Sequence, residues 1–142
     1  MPIKNYTTTV PAAQSVAEIV GALAAHGATK IQQDYDAGRP VSIAFVIDTP
    51  AGLRAFRLPS SADRVKAVLL RQKVKTDDAQ AERVAWRILR DWVMAQMAIL
   101  ETEMVAIDQI MLPYMVDDNG RTVYELYQSS QILLGVGLER ED

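Results

Sequence analysis

The sequence predicts an α+β fold: a four-stranded mixed or antiparallel sheet in the order β-α-β-β-β, packed by helices, then one long helix and a short C-terminal helix. Alternating apolar residues between positions 41 and 58 predict a hairpin, and apolar residues at three- and four-residue steps from 78 to 112 predict the long helix. A length of 142 residues suits a single domain, 1–142. We expect the sheet and one helix in 1–59, a helical part in 60–133 and a flexible tail in 134–142.

The first part of the chain reads as strand, helix, strand. The β-branched and aromatic run 4–10 predicts an opening strand that Pro11 ends. A helix follows, with a capping box formed by Ser15 and Glu18 and with His26 and Gly27 at its end. Residues 28–35 then predict a second strand.

The hairpin is the clearest element. Val41, Ile43, Phe45 and Ile47 alternate with smaller or polar residues, the segment 49–52 predicts a reverse turn, and 53–58 predicts the returning strand. Ser60 or Ser61 is a suitable cap for a helix that runs to about residue 73.

The long helix is predicted to begin after a cap at Asp77 and to reach Leu112, where Pro113 ends it. It would be roughly 50 Å long, and a compact domain of this size is only about 37 Å across. Two adjacent apolar stripes run along it, and part of one would therefore overhang the domain. This predicts a homo-oligomer whose interface contains Met97, Leu100, Met104, Ile107 and Met111.

Charge is unevenly distributed along the chain. Residues 1–63 are balanced, 64–90 carry a net charge of +5 and 91–142 carry −8. Six cations of the basic part are candidates for an anion-binding site, since arginine suits phosphate: Arg71, Lys73, Lys75, Arg83, Arg87 and Arg90. The alternative is a solvated face that pairs with nearby carboxylates.

The sequence lacks the residues that several kinds of catalytic and metal-binding site require. With no cysteine and a single histidine, His26, thiolate, iron–sulfur and histidine-rich metal sites are not expected. We expect a structural role for His26 in the last turn of a helix, before a C-cap glycine, where the helix dipole favours a cation. Glu101 and Asp108 would share one face of the long helix and are expected to be solvated rather than catalytic or metal-binding. The segment 117–120 predicts a turn rather than a calcium loop. No cofactor, metal or catalytic constellation is predicted, and neither is a membrane span; the expected location is the cytoplasm.

The segments 4–8, 26–28, 80–86, 91–92 and 112–114 together resemble a family of small, uncharacterised bacteriophage and prophage proteins, over nearly the whole chain. The resemblance implies a mobile-element origin, and with it a location in the host cytoplasm, and provides no catalytic residues.

The resemblance, together with the missing catalytic constellation, implies a phage-type, non-enzymatic binding protein with a counter-defence or host-interaction role, whose partner is a host protein or a phosphorylated small ligand. The alternative is an accessory nucleic-acid-binding factor in phage DNA recombination or replication, and an unrecognised enzyme comes third. Broad DNA binding is not expected, because the acidic second half would repel a duplex.

Overall fold

The alternating apolar residues in the middle of the chain lie in the strands of a sheet, and helices cover the apolar face of that sheet. The computed structural model describes residues 1–139. Its helices are α1 (Ala12–Ala25), α2 (Ala62–Arg71), α3 (Asp78–Glu101), α4 (Ile107–Ile110) and α5 (Val123–Gln128), with 3-10 turns at Leu112–Tyr114 and Gly137–Glu139. Its strands are β1 (Lys30–Asp36), β2 (Arg39–Thr49), β3 (Gly52–Pro59) and β4 (Met115–Val116). The predicted α+β class, with its four-stranded antiparallel sheet, long helix and short C-terminal helix, is confirmed.

The sheet is an antiparallel meander in the order β1-β2-β3-β4. Ile43, Phe45 and Ile47 are buried on one face of β2, as their alternation predicts. Phe45 lies opposite Phe56 of β3, and the two rings stack with their centroids 5.2 Å apart. This cross-strand aromatic pair therefore stabilises the register of the hairpin.

Helices α1 and α3 cover this apolar face. Val16, Ile19 and Leu23 of α1 and Val93 and Met97 of α3 join the strand residues in one buried cluster. Glu18 near the middle of α1 contacts α3 at Arg87, and His26 after α1 contacts Glu101 at the end of α3, so the two helices run parallel.

The opening segment is not a strand. Residues 4–7 form a turn in which Asn5 has a φ of 65° and the Thr8 N–H donates to the Asn5 carbonyl. The Gln80 side-chain amide donates to the carbonyls of Tyr6 and Thr8. The prediction from β propensity was wrong because the backbone of this segment bonds to side chains of α3 instead of to a sheet edge.

The fourth strand comes from the other end of the chain. Met115 and Val116 pair with Phe56 and Ala55 of β3. The predicted order β-α-β-β-β is thus replaced by α-β-β-β followed by helices and a final strand. It also means that segment 60–133, predicted as helical, contains a strand. A strand of two residues, such as β4, is too short to show a periodic pattern in the sequence. It is recognised only by its pairing with β3.

Helix α1 begins earlier than predicted. Its N-cap is Pro11, and Ser15 lies fully buried inside the first turns, where its hydroxyl has no hydrogen-bond partner within the described residues. The predicted capping box at Ser15 was wrong because Pro11 already starts the helix, with a fixed φ of −58°. The cap predicted for α2 is present at Ser61, whose hydroxyl accepts from the Arg64 N–H.

The long helix ends 11 residues before the predicted position, at Glu101 rather than Leu112. The Thr102 hydroxyl bonds to the Ile99 carbonyl and accepts from the Met104 N–H, and Glu103 adopts a φ of 62°. The chain then folds back and buries Ile107 and Met111 in the core. At 24 residues the helix is roughly 36 Å long, about the width of the domain, so it does not overhang.

The predicted tail, 134–142, falls partly outside the described residues, since the structure describes the chain to residue 139. None of the helices described is both long and apolar enough to cross a bilayer.

Candidate functional site

Two of the predicted anion-binding arginines are held by a carboxylate of the same chain. Arg87 of α3 donates to Glu18 of α1 at 2.8 Å, and Arg90 lies 3.1 Å from the same carboxyl group. Arg90 also pairs with Asp91 at 3.1 Å. An anion bound here would have to compete with Glu18 and Asp91 for both guanidinium groups.

The Glu18 carboxyl group is ionised by this arrangement. The hydrogen bond from Arg87 is the largest influence and lowers the pKa of Glu18 below its usual value, although desolvation opposes it. The side chains of Glu18, Arg87 and Arg90 are each less than a third exposed. Such charge-assisted bonds, mostly out of water, fix α1 against α3.

The other four cations are arranged differently. Arg83 donates twice to the Gln80 side chain, at 2.9 and 2.6 Å. Arg71, Lys73 and Lys75 are exposed at the connection between α2 and α3, and they form no ion pair with any residue from 1 to 139. Anion binding by the six cations stays a prediction, and these three are the ones most accessible to a ligand.

His26 lies at the end of α1 and is its C-cap residue, one position before the glycine predicted to cap the helix. Its Nδ1 lies 2.7 Å from the Ala22 carbonyl oxygen and its Nε2 lies 2.9 Å from Glu101 Oε1. Both neighbours are acceptors, so only the imidazolium can donate to both. The bond to Ala22, followed by that to Glu101, raises the pKa of His26.

The predicted acidic face does not form. Because the chain turns at Thr102 and Glu103, Glu101 and Asp108 belong to different helices. No group of three or more potential metal ligands occurs in the part of the chain that the structure describes. The segment 117–120 is the predicted turn: Asp117 Oδ1 accepts from the N–H groups of Asn119 and Arg121.

The residues predicted for an oligomer interface lie mostly in the core. Met97, Ile107 and Met111 are buried, Leu100 is half-buried against the core cluster, and only Met104 is highly exposed. The overhanging helix on which this interface was based is absent from residues 1–139. The oligomeric state itself stays a prediction, but it needs a different surface.

A different feature of α3 is an open cleft that it lines. Ile88, Leu89 and Trp92, on the apolar side of α3 next to its core stripe, form one wall of a cleft of about 270 Å³. Helix α2 contributes Val65, and Tyr114 closes the far side, its ring edge-on to Trp92 with centroids 5.6 Å apart. We call this cleft the α2–α3 groove; its lining residues are Leu58, Pro59, Ser60, Ser61, Val65, Ala85, Ile88, Leu89, Trp92 and Tyr114.

The groove lining contains no charged residue. At Pro59 and Tyr114 it adjoins a second cleft of about 420 Å³, which Arg57 and the start of α5, at Tyr124 and Glu125, line on the other side. Arg57 is held there by the Gly120 carbonyl at 3.0 Å and by Glu125 at 3.4 Å. Arg57 and Glu125 therefore lie beside the uncharged groove.

The sequence contains part of the signal for this groove. The second apolar stripe of α3, with Ala85, Ile88 and Trp92, indicates that the helix must be covered on two sides. Helix α2 covers that side only in part, because it ends at Arg71 after 10 residues. The contribution of Tyr114 is not visible in the sequence, since it depends on the turn after α3.

Comparison with protein-family models, with curated proteins and with solved structures gives no match for this chain.

Proposed function

We propose that this chain is a non-enzymatic binding protein that takes an apolar segment of a partner protein in the α2–α3 groove. The observation that carries the proposal is the groove itself: an aromatic and aliphatic cleft without charge, beside a rim that carries Arg57 and Glu125. Apolar pockets with a few polar groups at the edge are typical of protein-binding sites, and tryptophan and tyrosine are their usual anchors.

The proposed partner is a host protein. The basis for this part of the proposal is the resemblance of segments such as 4–8 and 112–114 to small phage and prophage proteins. A chain of that origin would gain from blocking or recruiting a host protein, and a neutral groove suits an aliphatic or aromatic segment of it. A phosphorylated ligand is the weaker possibility, because Glu18 already neutralises Arg87 and Arg90.

The expected affinity is weak. Full burial of one leucine- or phenylalanine-sized side chain contributes about 1.5–3 kcal/mol, and association costs at least about 4 kcal/mol. Two or three anchors in the groove therefore leave at most about 5 kcal/mol, which corresponds to a Kd of about 0.2 mM at best. A partner of this kind would be recognised through a short segment rather than a large surface.

One observation keeps the alternative of an accessory nucleic-acid-binding factor open. Arg71, Lys73 and Lys75 are exposed and form no ion pair within the described residues. A single strand could follow these cations, although the net charge of −3 opposes it.

Trp92 provides the test of the groove. The chain has two tryptophans, and Trp86 is buried with its indole N–H donating to the Pro40 carbonyl, so Trp92 reports on the groove alone. A library of short displayed peptides should be enriched in uncharged aliphatic and aromatic sequences. Selected peptides should shift the tryptophan emission in the intact chain but not in a Trp92→Phe variant.

The control is Ile88→Asp, which places a charge in the groove wall and should weaken binding at least about tenfold, since one apolar anchor is lost. Enrichment of phosphorylated or acidic peptides, or an unchanged emission with every selected peptide, would count against the groove as the binding site.

A further inference from the structure

The segment that follows α5 is the least covered apolar part of the described chain. Leu133, Leu134, Val136 and Leu138 are 85%, 74%, 68% and 102% exposed. From Leu126 to Leu138 the sequence carries no charge. We call residues 132–138 the apolar tail. A row of large apolar side chains in water marks an interaction site in most proteins.

The direction in which the tail leaves α5 is set by the backbone. Ser130 has a φ of 66°, the Ser130 N–H donates to the Tyr127 carbonyl and the Gln131 N–H donates to the Leu126 carbonyl. This is the Schellman arrangement, which ends a helix and turns the chain away from its axis. Leu133 and the residues after it consequently lie off the chain's own surface, although α5 borders the cleft beside the groove.

We propose that the apolar tail of one copy occupies the α2–α3 groove of a second copy, in a reciprocal two-fold pair. The proposal rests on the proposed binding role of the groove and names one occupant of it. Groove and tail are complementary: both are apolar, neither carries a charge, and each is uncovered on its own chain. A two-fold pair covers the groove and the tail of both copies at the same time.

The reciprocal exchange of two tails also determines the affinity of self-association. A single tail with two or three apolar anchors binds weakly, but in a two-fold pair the second tail binds within an already formed complex at high effective concentration. The pair is therefore much more stable when both contacts form than when only one does. Self-association also closes the groove to other partners, so pairing regulates access of the host protein.

Two variants of the full chain test the proposal. Leu133→Asp with Leu134→Asp changes only exposed tail residues, and Ile88→Asp changes only the groove. Sedimentation equilibrium at micromolar concentration should give twice the chain mass for the unchanged protein, and the chain mass for each variant. Each copy of the tail variant loses two anchors and the two-fold pair loses four, so at about tenfold for each lost anchor its association should weaken by about ten-thousandfold.

Mixing the two variants gives the decisive measurement. The tail variant keeps its groove and the groove variant keeps its tail, so one contact can still form between them. Because only one contact remains, the mixture is measured at about 0.5 mM, where it should show a weak heterodimer that neither variant forms alone. If Ile88→Asp alters the circular dichroism spectrum, Val65→Glu, at the other wall, takes its place.

Three outcomes would overturn the proposal: the chain mass for the unchanged protein, a dimer that the tail substitutions leave intact, and a mixture without heterodimer. Failure here is distinguishable from failure of the proposed function, because displayed peptides can still shift the Trp92 emission of a monomeric chain. A monomer that also binds no peptide would contradict both the pairing proposal and the proposed function.

Discussion

The Nε2 atom of His26 lies 2.9 Å from Oε1 of Glu101, and this contact joins the carboxyl end of α1 to that of α3. The imidazole also faces the Ala22 carbonyl through Nδ1. Both bonds favour the protonated ring, and the pKa of His26 is raised above its ordinary value of 6.5, first by Ala22 and then by Glu101.

The stability of the protein should therefore depend on pH through this contact. A raised folded-state pKa means that the contribution is complete below the unfolded value and is lost as pH rises through the folded value. Urea unfolding of the unchanged protein and of Glu101→Gln should differ by up to about 1 kcal/mol near pH 5.5, and by less near pH 8.5. A difference that grows toward alkaline pH would contradict the assignment.

Glu18 should matter more, because it neutralises two arginines and all three side chains are part-buried. Glu18→Gln leaves Arg87 without a carboxylate and leaves Arg90 with Asp91 alone, and we expect a loss of about 1.5–3 kcal/mol in the free energy of unfolding at neutral pH. Since the pKa of Glu18 is lowered, its contribution is present above the unfolded value of 4.5 and disappears as pH falls through the folded value.

The matched control for Glu18 is Glu103→Gln. Glu103 is exposed and makes no side-chain ion pair with residues 1–139, so this substitution should change the free energy of unfolding by less than about 0.5 kcal/mol. Equal effects of the two substitutions, or a Glu18→Gln effect that persists in acid, would show that the carboxylate does not hold the helices together.

Two glycines close to each other should respond in opposite ways to alanine. Gly21 is an exposed position inside α1 with no atom within 4 Å of an added Cβ, so Gly21→Ala should stabilise the protein by about 0.5–1 kcal/mol. Gly27 follows α1 with a φ of 104°, where a side chain is strained, so Gly27→Ala should destabilise it by about 1–2 kcal/mol.

Thermal unfolding checks the glycine pair directly. Each kcal/mol corresponds to roughly 4 °C in Tm for a chain of this size, so the two variants should move in opposite directions by several degrees in total. A stabilised Gly27→Ala would mean that the turn into β1 does not need the left-handed conformation.

Nucleic-acid binding should be weak at physiological salt. Among the six candidate cations, Arg87 and Arg90 are paired with Glu18, and the chain carries a net charge of −3. Fluorescence anisotropy with labelled single-stranded DNA should therefore show no binding tighter than about 10 μM in 0.15 M salt.

The opposite result would favour the accessory DNA-binding role. Micromolar binding that falls steeply with salt, and that is lost when Arg71, Lys73 and Lys75 are replaced by alanine, would make these exposed cations the site. The same replacements should leave peptide binding in the groove unchanged, because none of the three lines it.

The sequence alone was enough for the features that depend on neighbouring residues. The alternation from Val41 to Ile47 placed β2 and its buried face, and the serines before Ala62 placed the cap of α2. The turn at 117–120 and the short helix after Thr122 also follow from local patterns, since capping and turn preferences involve atoms only a few residues apart. Together these observations predicted the α+β class.

The tertiary structure decided what depends on distant contacts. Residues 4–7 have strand propensity, yet Gln80 and Asp91 hold them in a turn against α3. No proline or glycine stops α3 at Glu101; the chain turns there because Ile107 and Met111 gain burial in the core. Glu18 lies 69 residues from Arg87, and Tyr114 reaches Trp92 only after that turn, so neither the arginine pairing nor the groove could be read from spacing. Local propensity is worth a few tenths of a kcal/mol per residue, whereas burial of a large side chain is worth about 1.5–3 kcal/mol, and burial therefore prevails where the two conflict.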